Sequence, residues 1–382
     1  MIADEEKQMS TEKKIKSAII LRLFNRWLYV LATDKDRGFF GGLAKFFLFI
    51  LSLVYGLTVK ILVFFYRLRP CQLGGKVVSV GNITLGGTGK TVLVEYLARY
   101  LQQKGHKVAV LSRGYRIRSR VKENDEADEP RMLRENLKDV PVCVDSDRIR
   151  GARRALQEFG VDTLILDDGF QQWKIKKDLE IVVVDAANPF GNRRLLPRGI
   201  LREPLSSLRR ADVIILAKIN LAPPAQELND YLQRLNPCAM IIGSRHEPEG
   251  FYPFGGGWEL LNLQSFKGRS AAVFSGIGDP GSFEQTVRSL GINIALSFRF
   301  DDHHDYSPAE AAGLMRQAKE KGIDVILTTE KDAARLHNLP SLTYNPRPAT
   351  RDPRLYVLRI ALKFSENDEQ RLHTRLRRIY GI

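Results

Sequence analysis

The stretch that decides the fold is Lys76-Val-Val-Ser-Val-Gly81, followed by Asn82-Ile-Thr-Leu-Gly-Gly-Thr-Gly-Lys-Thr91 and Val92-Leu-Val-Glu-Tyr-Leu-Ala-Arg-Tyr-Leu101. The first piece predicts a short buried strand, and the apolar spacing of the last piece predicts a helix. Strand, glycine-rich loop and helix form the context of a P-loop. In such a loop, backbone N–H groups face phosphates, a lysine reaches the β and γ oxygens, and a hydroxyl binds Mg²⁺.

The glycine-rich loop departs once from the pattern G-x-x-x-x-G-K-[ST], because Thr84 takes the first glycine position. The structural alternative is an ordinary glycine-rich turn. The flanking strand and helix favour a nucleotide site instead, so we expect ATP and Mg²⁺ here. The residues predicted to bind ATP are Gly86, Gly87, Thr88, Gly89, Lys90 and Thr91.

Polar residues follow two further predicted strands. Residues 107–112 run into Arg113 and Tyr115, and the apolar run 161–166 ends in Asp167 and Asp168. Sheets of this class place ligands at the carboxyl ends of their strands, and an aspartate there holds Mg²⁺ beside a P-loop. The alternatives are a solvated basic loop for the arginine segment and a tight Asp-Asp-Gly turn for the carboxylates.

The second half again alternates strand-like runs, at 240–243, 271–275, 292–298 and 324–329, with helical stretches such as 308–319. Gly276-Ile-Gly-Asp-Pro-Gly281 fits a dinucleotide fingerprint, but its internal proline and the short segment after it argue against that use. In Asp301-Asp-His-His-Asp305 neighbouring side chains of an extended chain diverge, so one active histidine is favoured over a metal cluster. His246 is predicted to lie in an exposed turn.

Composition describes a globular, basic chain. Its 382 residues are about two to three times a typical domain, which predicts two domains that share a cleft. A composition of 44% hydrophobic and 27% charged residues excludes a disordered chain and a polytopic membrane protein. The net charge of +15 suits an anionic partner, but no nucleic-acid-binding pattern is present. Cys71, Cys143 and Cys238 are isolated, as expected in a reducing cytoplasm.

The N-terminal part predicts a membrane element. Residues 46–59 lack charge, the apolar run resumes after Lys60, and a span needs about 20 apolar residues. Residues 1–72 also carry twelve Lys/Arg against six Asp/Glu, which suits anionic headgroups. A monotopic anchor, a single span and a buried core helix all remain open, whereas a cleaved signal peptide is disfavoured because the run begins too late.

Taken together, these motifs resemble the tetraacyldisaccharide 4'-kinase family, and the resemblance covers nearly the whole chain after about residue 40. The altered first position of the P-loop is similar to the family's own variant. Gln172 departs from the family, which has histidine there, so the role of this position stays open. The segments that carry the resemblance are residues 80–91, 112–115, 127–130, 166–171, 196–204, 276–281, 301–306 and 329–333.

The resemblance implies roles for individual residues. Lys90 would act on the ATP phosphates, and Asp128 and His303 would activate the sugar hydroxyl. On sequence alone, Asp128 sits in a solvated acidic loop. The implied metal ligands are Thr91, Asp167, Asp168 and Glu203, and the implied substrate contacts are Arg113, Tyr115, Arg148, Gln171 and Arg202.

The resemblance also implies the architecture and the reaction. The expected fold class is α/β, with a helical membrane-anchoring segment (1–72), a P-loop kinase domain (73–240) and a second α/β domain (241–382). The expected reaction transfers the ATP γ-phosphoryl group to the 4'-hydroxyl of a tetraacylated glucosamine disaccharide 1-phosphate in lipid A biosynthesis.

The expected place is the cytoplasmic face of the inner membrane of a Gram-negative-type bacterium. The expected partners are the lipid substrate and the membrane surface, with no nucleic acid and no obligate protein partner. The alternative function is a membrane-associated P-loop switch or assembly ATPase. Such a switch would not need the hydroxyl-activating pair Asp128 and His303.

Overall fold

The computed structural model describes residues 39–114, 127–222, 226–257, 259–336 and 352–381. Strands and helices alternate along most of this length, as the apolar runs and helical spacings predict. The helices are α1 (Phe39–Leu68), α2 (Lys90–Gln103), α3 (Asp128–Asn136), α4 (Arg148–Phe159), α5 (Gln226–Leu235), α6 (Pro280–Ser289), α7 (Pro308–Glu320), α8 (Glu330–Leu336) and α9 (Glu366–Arg378).

Eleven strands form one sheet in the order β3-β2-β4-β1-β5-β6-β7-β11-β10-β8-β9. Strand neighbours are parallel except for β7 and β11. The strands are β1 (Lys76–Gly81), β2 (Val108–Ser112), β3 (Val142–Val144), β4 (Thr163–Asp167), β5 (Leu179–Asp185), β6 (Val213–Ala217), β7 (Met240–Pro253), β8 (Ser270–Ser275), β9 (Asn293–Arg299), β10 (Val325–Thr329) and β11 (Arg354–Phe364).

The long strand β7 joins the two halves of the sheet. Its first residues pair parallel to β6, with Met240 opposite Val213. Its later residues pair antiparallel to β11, with Tyr252 opposite Val357. The α/β class expected from the sequence is confirmed, although β11 and the length of β7 were not predicted.

The described residues fall into two compact units. The first contains α1 with residues 83–85 and 188–209, and the second contains the whole sheet with its remaining helices. The predicted division into 1–72, 73–240 and 241–382 stays a prediction. The three cysteines are free thiols, in keeping with the absence of a disulfide framework from the sequence pattern.

In the first unit, α1 packs against the segment 188–209. The hydroxyl of Tyr55 donates to the carbonyl of Arg202 at 2.9 Å, and the guanidinium of Arg194 lies 5.1 Å from the ring centre of Phe49. A Cβ on Gly56 would lie 2.6 Å from Leu195, so glycine permits the close approach. Packing against this segment therefore covers one part of the helix.

Most of the α1 surface nevertheless stays apolar and exposed. Of the eighteen exposed large hydrophobic side chains in the described part of the chain, fourteen lie on α1. Residues Gly41–Leu68 are long and apolar enough to cross a membrane, and only 17% of the most apolar window is buried. Exposed apolar area of this extent favours contact with lipid over a place in a protein core.

In the second unit, the central strands of the P-loop half are buried on both faces, as parallel strands covered by helices are. Val78 and Val80 of β1 face α2, where Leu97 and Leu101 are buried. The other face packs Leu164 of β4 among residues from α4. This packing fixes the carboxyl ends of β1 and β4, where the predicted phosphate and metal residues lie.

Candidate active site

The phosphate loop (Gly86–Thr91) has the backbone of an anion site. Gly86 and Gly89 have φ of 109° and 86°, a region that glycine adopts without strain. Helix α2 begins at Lys90, so the positive end of its dipole faces the loop. The hydroxyl of Thr88 is buried and has no hydrogen-bond partner among the described residues. An unpaired hydroxyl here fits a loop built to receive a phosphate oxygen.

Lys90 lies beside the predicted carboxylate pair. Its Nζ is 3.1 Å from Oδ1 of Asn82 and 3.6 Å from Oδ1 of Asp168. Asp167 is buried at the end of β4, and its Oδ2 accepts from the hydroxyl of Ser112 at 3.4 Å. Burial raises the pKa of Asp167 to about 6, and the charge of Lys90 opposes that rise. The adjacent carboxylates of Asp167 and Asp168, and the hydroxyl of the buried Thr91, are oxygen ligands of the kind Mg²⁺ prefers.

His246 contradicts the sequence prediction of an exposed turn. It lies within β7, and a Cβ on Gly89 would be 2.6 Å from its Nε2. That nitrogen is buried and has no hydrogen-bond partner in the described part of the chain. Burial, with the nearby charge of Lys218, lowers the pKa of His246 to about 4. A neutral imidazole therefore packs directly against the phosphate loop, which the sequence pattern around residue 246 did not indicate.

Asp128 and His303 meet although 175 residues separate them in the sequence. Nδ1 of His303 lies 3.0 Å from Oδ2 of Asp128, which is the first residue of α3. His303 follows β9 and has a φ of 59°, an uncommon backbone for a residue other than glycine. Its amide donates to the carbonyl of Gly276 at 3.1 Å, which holds the loop in this conformation.

The electrostatics of the pair favour an ionised carboxylate beside a basic imidazole. The hydrogen bond to Asp128 raises the pKa of His303 above its ordinary value, against the effect of burial. Burial would raise the pKa of Asp128, but its hydrogen bond with His303 and the charge of Arg335 lower it below its ordinary value. With Nδ1 donating to the carboxylate, Nε2 carries the lone pair that can accept a proton.

A second ion pair lies next to the first and within electrostatic reach of Asp167. Nζ of Lys331 is 3.1 Å from Oε1 of Glu129. The charges of Glu129 and Lys331 both act on the pKa of Asp167, so the two clusters lie within electrostatic reach. Asp128, Glu129 and His303 each have one possible ligand atom within 4.8 Å of the other two, as in a metal site. However, Lys331 and Arg335 already balance the charges of the two carboxylates.

The predicted substrate contacts have different surroundings. Gln171 donates through Nε2 to the carbonyl of Asn82 at 3.1 Å, which connects the loop after β4 to the loop after β1. Arg148 is buried and donates to the carbonyl of Asp145, and Arg113 is exposed at the end of β2. Substrate roles for all three stay predictions.

Three further predicted residues complete the set. Tyr115 lies outside the described residues. Arg202 and Glu203 belong to the first unit, where the amide of Arg202 donates to the carbonyl of Ile83 at 2.7 Å and Glu203 is fully buried. Their roles toward phosphate and metal also stay predictions.

Sequence reasoning assigned no role to Lys331 and Arg335, although both contact the pair's helix α3. The segment 329–333 served only as a family resemblance, and Arg335 lies beyond it. A basic residue on a short polar helix carries no signal of its own, because its partners Asp128 and Glu129 are about 200 residues away.

A phosphate loop, a carboxylate pair beside its lysine and a histidine–aspartate pair define a P-loop phosphotransferase. The family model described as "Tetraacyldisaccharide-1-P 4'-kinase" matches residues 44–380. The chain therefore belongs to this family of kinases, as its motifs predicted.

Curated relatives and a solved structure agree with this assignment. The tetraacyldisaccharide 4'-kinase of Halothermothrix orenii is 34% identical over 336 residues, which are 81% of this chain and 87% of the relative. That of Anaeromyxobacter dehalogenans is 38% identical over 306 residues, 77% and 79% of the two chains. The crystal structure of LpxK from Aquifex aeolicus in complex with ATP is 28% identical with a TM-score of 0.64, covering 86% of this chain and 97% of the other. The predicted kinase class and ATP binding are confirmed.

Proposed function

We propose that the chain transfers the γ-phosphoryl group of ATP to the 4'-hydroxyl of a tetraacylated glucosamine disaccharide 1-phosphate. Family membership supports the substrate class. The observation that carries the proposal is the contact of 3.0 Å between His303 and Asp128, in a chain whose phosphate loop sets Lys90 beside Asp168. Such a pair serves to take a proton from an attacking hydroxyl, as phosphoryl transfer requires.

In the proposed reaction the imidazole is the proton acceptor. The sugar hydroxyl oxygen forms a bond to the γ-phosphorus as the bond from that phosphorus to the bridging oxygen breaks, and ADP leaves. The hydroxyl proton passes to Nε2 of His303. Asp128 stays ionised and stabilises the imidazolium that forms. A carboxylate whose pKa is lowered is a weak base, which supports the imidazole in this role.

Residues of the phosphate loop would bind the nucleotide. The N–H groups from Gly86 to Thr91 would surround the phosphates at the positive end of α2. Lys90 would neutralise charge on the β and γ oxygens as the γ-phosphoryl group loosens. Mg²⁺ would be held by Thr91 with Asp167 and Asp168, and would supply further charge neutralisation there.

The first unit would provide contact with the lipid bilayer. The exposed apolar surface of α1 supports a place at the membrane, where an acylated substrate resides. We place the protein at the cytoplasmic face of the inner membrane, because ATP is a cytoplasmic substrate. Arg202 and Glu203 would act on phosphate and metal respectively, as the family resemblance implies.

The test is a transfer assay with γ-labelled ATP and the tetraacyl disaccharide 1-phosphate dispersed in detergent. Label should appear in the lipid, and a matched lipid that lacks the 4'-hydroxyl should take up none. Release of labelled phosphate without any labelled lipid would refute the proposal and would favour the switch ATPase that the sequence left open.

A further inference from the structure

We propose that Arg335 is a positioning residue for the His303–Asp128 pair. It anchors the loop that carries His303 and holds the carboxylate of Asp128 in place. The inference rests on the proposed function of that pair. Arg335 lies on α8, after β10, and neither its helix nor its spacing in the sequence marks it as part of the site.

The guanidinium shares one oxygen of Asp128 with the imidazole. Nε of Arg335 lies 2.6 Å from Oδ2 of Asp128, the same atom that faces Nδ1 of His303 at 3.0 Å. The side chain of Arg335 is only 5% exposed. A charge-assisted hydrogen bond this well shielded from water is stronger and geometrically stricter than a surface ion pair. The carboxylate is therefore oriented from both sides.

The same guanidinium also holds the loop that carries His303. Its Nη1 donates to the carbonyl of Gly276 at 2.6 Å and to Oδ1 of Asp332 at 3.1 Å. The carbonyl of Gly276 in turn accepts the amide of His303, and the amide of Gly276 donates to Asp332 at 2.9 Å. The hydroxyl of Tyr306 donates to Asp332 as well, at 2.9 Å.

Arg335 is thus linked to both residues of the histidine–aspartate pair. Through Asp128 it reaches α3, and through Gly276 it reaches the strained backbone of His303. An arginine needed only for stability has no reason to contact the carboxylate oxygen that orients the imidazole. Five N–H donors in a fixed plane make this bridging geometry possible, which lysine cannot reproduce.

Arg335 also opposes the other charges that act on His303. The hydrogen bond to Asp128 raises the pKa of the imidazole, and so do the charges of Asp302 from its own loop and Glu129 from α3, whereas the charge of Arg335 lowers it. Lys331 is paired with Glu129 and adds positive charge nearby. Loss of the guanidinium should therefore make His303 more basic, and protonated over a wider range of pH.

The test compares Arg335→Gln, Arg335→Lys and a control, Arg316→Gln, whose arginine is 73% exposed on α7. We expect Arg335→Gln to lower kcat for lipid phosphorylation by about 10²-fold or more, the usual worth of proton transfer. The KM for ATP should stay within about threefold, because no loop residue changes. The acidic limb of the pH–rate profile should move to higher pH, because loss of the guanidinium charge raises the pKa of the imidazole.

Arg335→Lys keeps the charge, so its acidic limb should stay near that of the wild type while kcat falls. The Arg316→Gln control should match the wild type in kcat and in the position of the acidic limb. A fall in kcat for Arg335→Gln with an unmoved limb would leave a structural role only and would overturn the inference.

A measurement that needs no turnover separates this inference from the proposed function. NMR titration of the His303 imidazole should give a higher pKa in Arg335→Gln than in the wild-type protein, with ATP and lipid absent. An unchanged imidazole pKa would overturn the inference even in an active enzyme. Absence of transfer by the wild type, with the pKa shift present, would refute the proposed function and leave the contact of Arg335 with the pair intact.

Discussion

Replacing Gly89 by alanine should destabilise the phosphate loop for two separable reasons. The residue has a φ of 86°, which costs an L-residue about 1–2 kcal/mol. The added Cβ would also lie 2.6 Å from Nε2 of His246, well inside van der Waals contact. Overpacking of this kind costs about 1–3 kcal/mol, so we expect a total loss of about 2–5 kcal/mol in the free energy of unfolding.

The two contributions can be separated with His246→Ala. In that background the Cβ added at position 89 meets open space, so only the backbone cost of about 1–2 kcal/mol should remain. Chemical denaturation of the four proteins gives the coupling free energy, which we expect to be about 1–3 kcal/mol in favour of the double variant. Equal destabilisation by Gly89→Ala in both backgrounds would show that His246 does not pack against the loop.

Two further outcomes follow from the exposed helix and from the charge on the pair. The double variant Leu53→Lys, Leu57→Lys should weaken flotation with anionic liposomes, since each apolar side chain contributes roughly 1.5–3 kcal/mol when buried. The control Phe159→Lys, which changes an exposed apolar residue outside α1, should float like the wild type. Equal flotation of the wild type, the double variant and the control would place the anchor outside α1. Asp128→Asn should move the acidic limb of the pH–rate profile for transfer to lower pH, because Asp128 raises the pKa of His303 and the neutral imidazole is the base. A limb that moves to higher pH or stays in place would argue against His303 as the base.

The P-loop half of the fold follows from local sequence signals. Apolar runs end at Gly81 and at Asp167, and parallel strands bring such ends to one edge, so the sequence alone places Lys90 and the carboxylates together. These features depend on neighbours in sequence or on adjacent strands, which is why the pattern predicts them.

The histidine–aspartate pair and the place of His246 depend on contacts that sequence distance hides. The residues around Asp128 are typical of a solvated acidic loop, and only the family resemblance indicated that His303 is its partner. His246 lies among polar residues that are typical of a turn, yet it extends a strand that pairs with β11. Strand β11 begins after residues 337–351, which lie outside the described part, and no earlier motif points to its pairing with β7.

The most direct measurement is the transfer of γ-labelled phosphate to the disaccharide lipid by the wild type, Asp128→Ala, His303→Ala and the double variant. The account predicts that each single change lowers the rate by about 10²–10⁴-fold, while the double variant loses little more than the worse single one. ATP binding should persist in all four proteins, because neither residue belongs to the phosphate loop. Losses that multiply in the double variant would contradict a shared role in taking the hydroxyl proton.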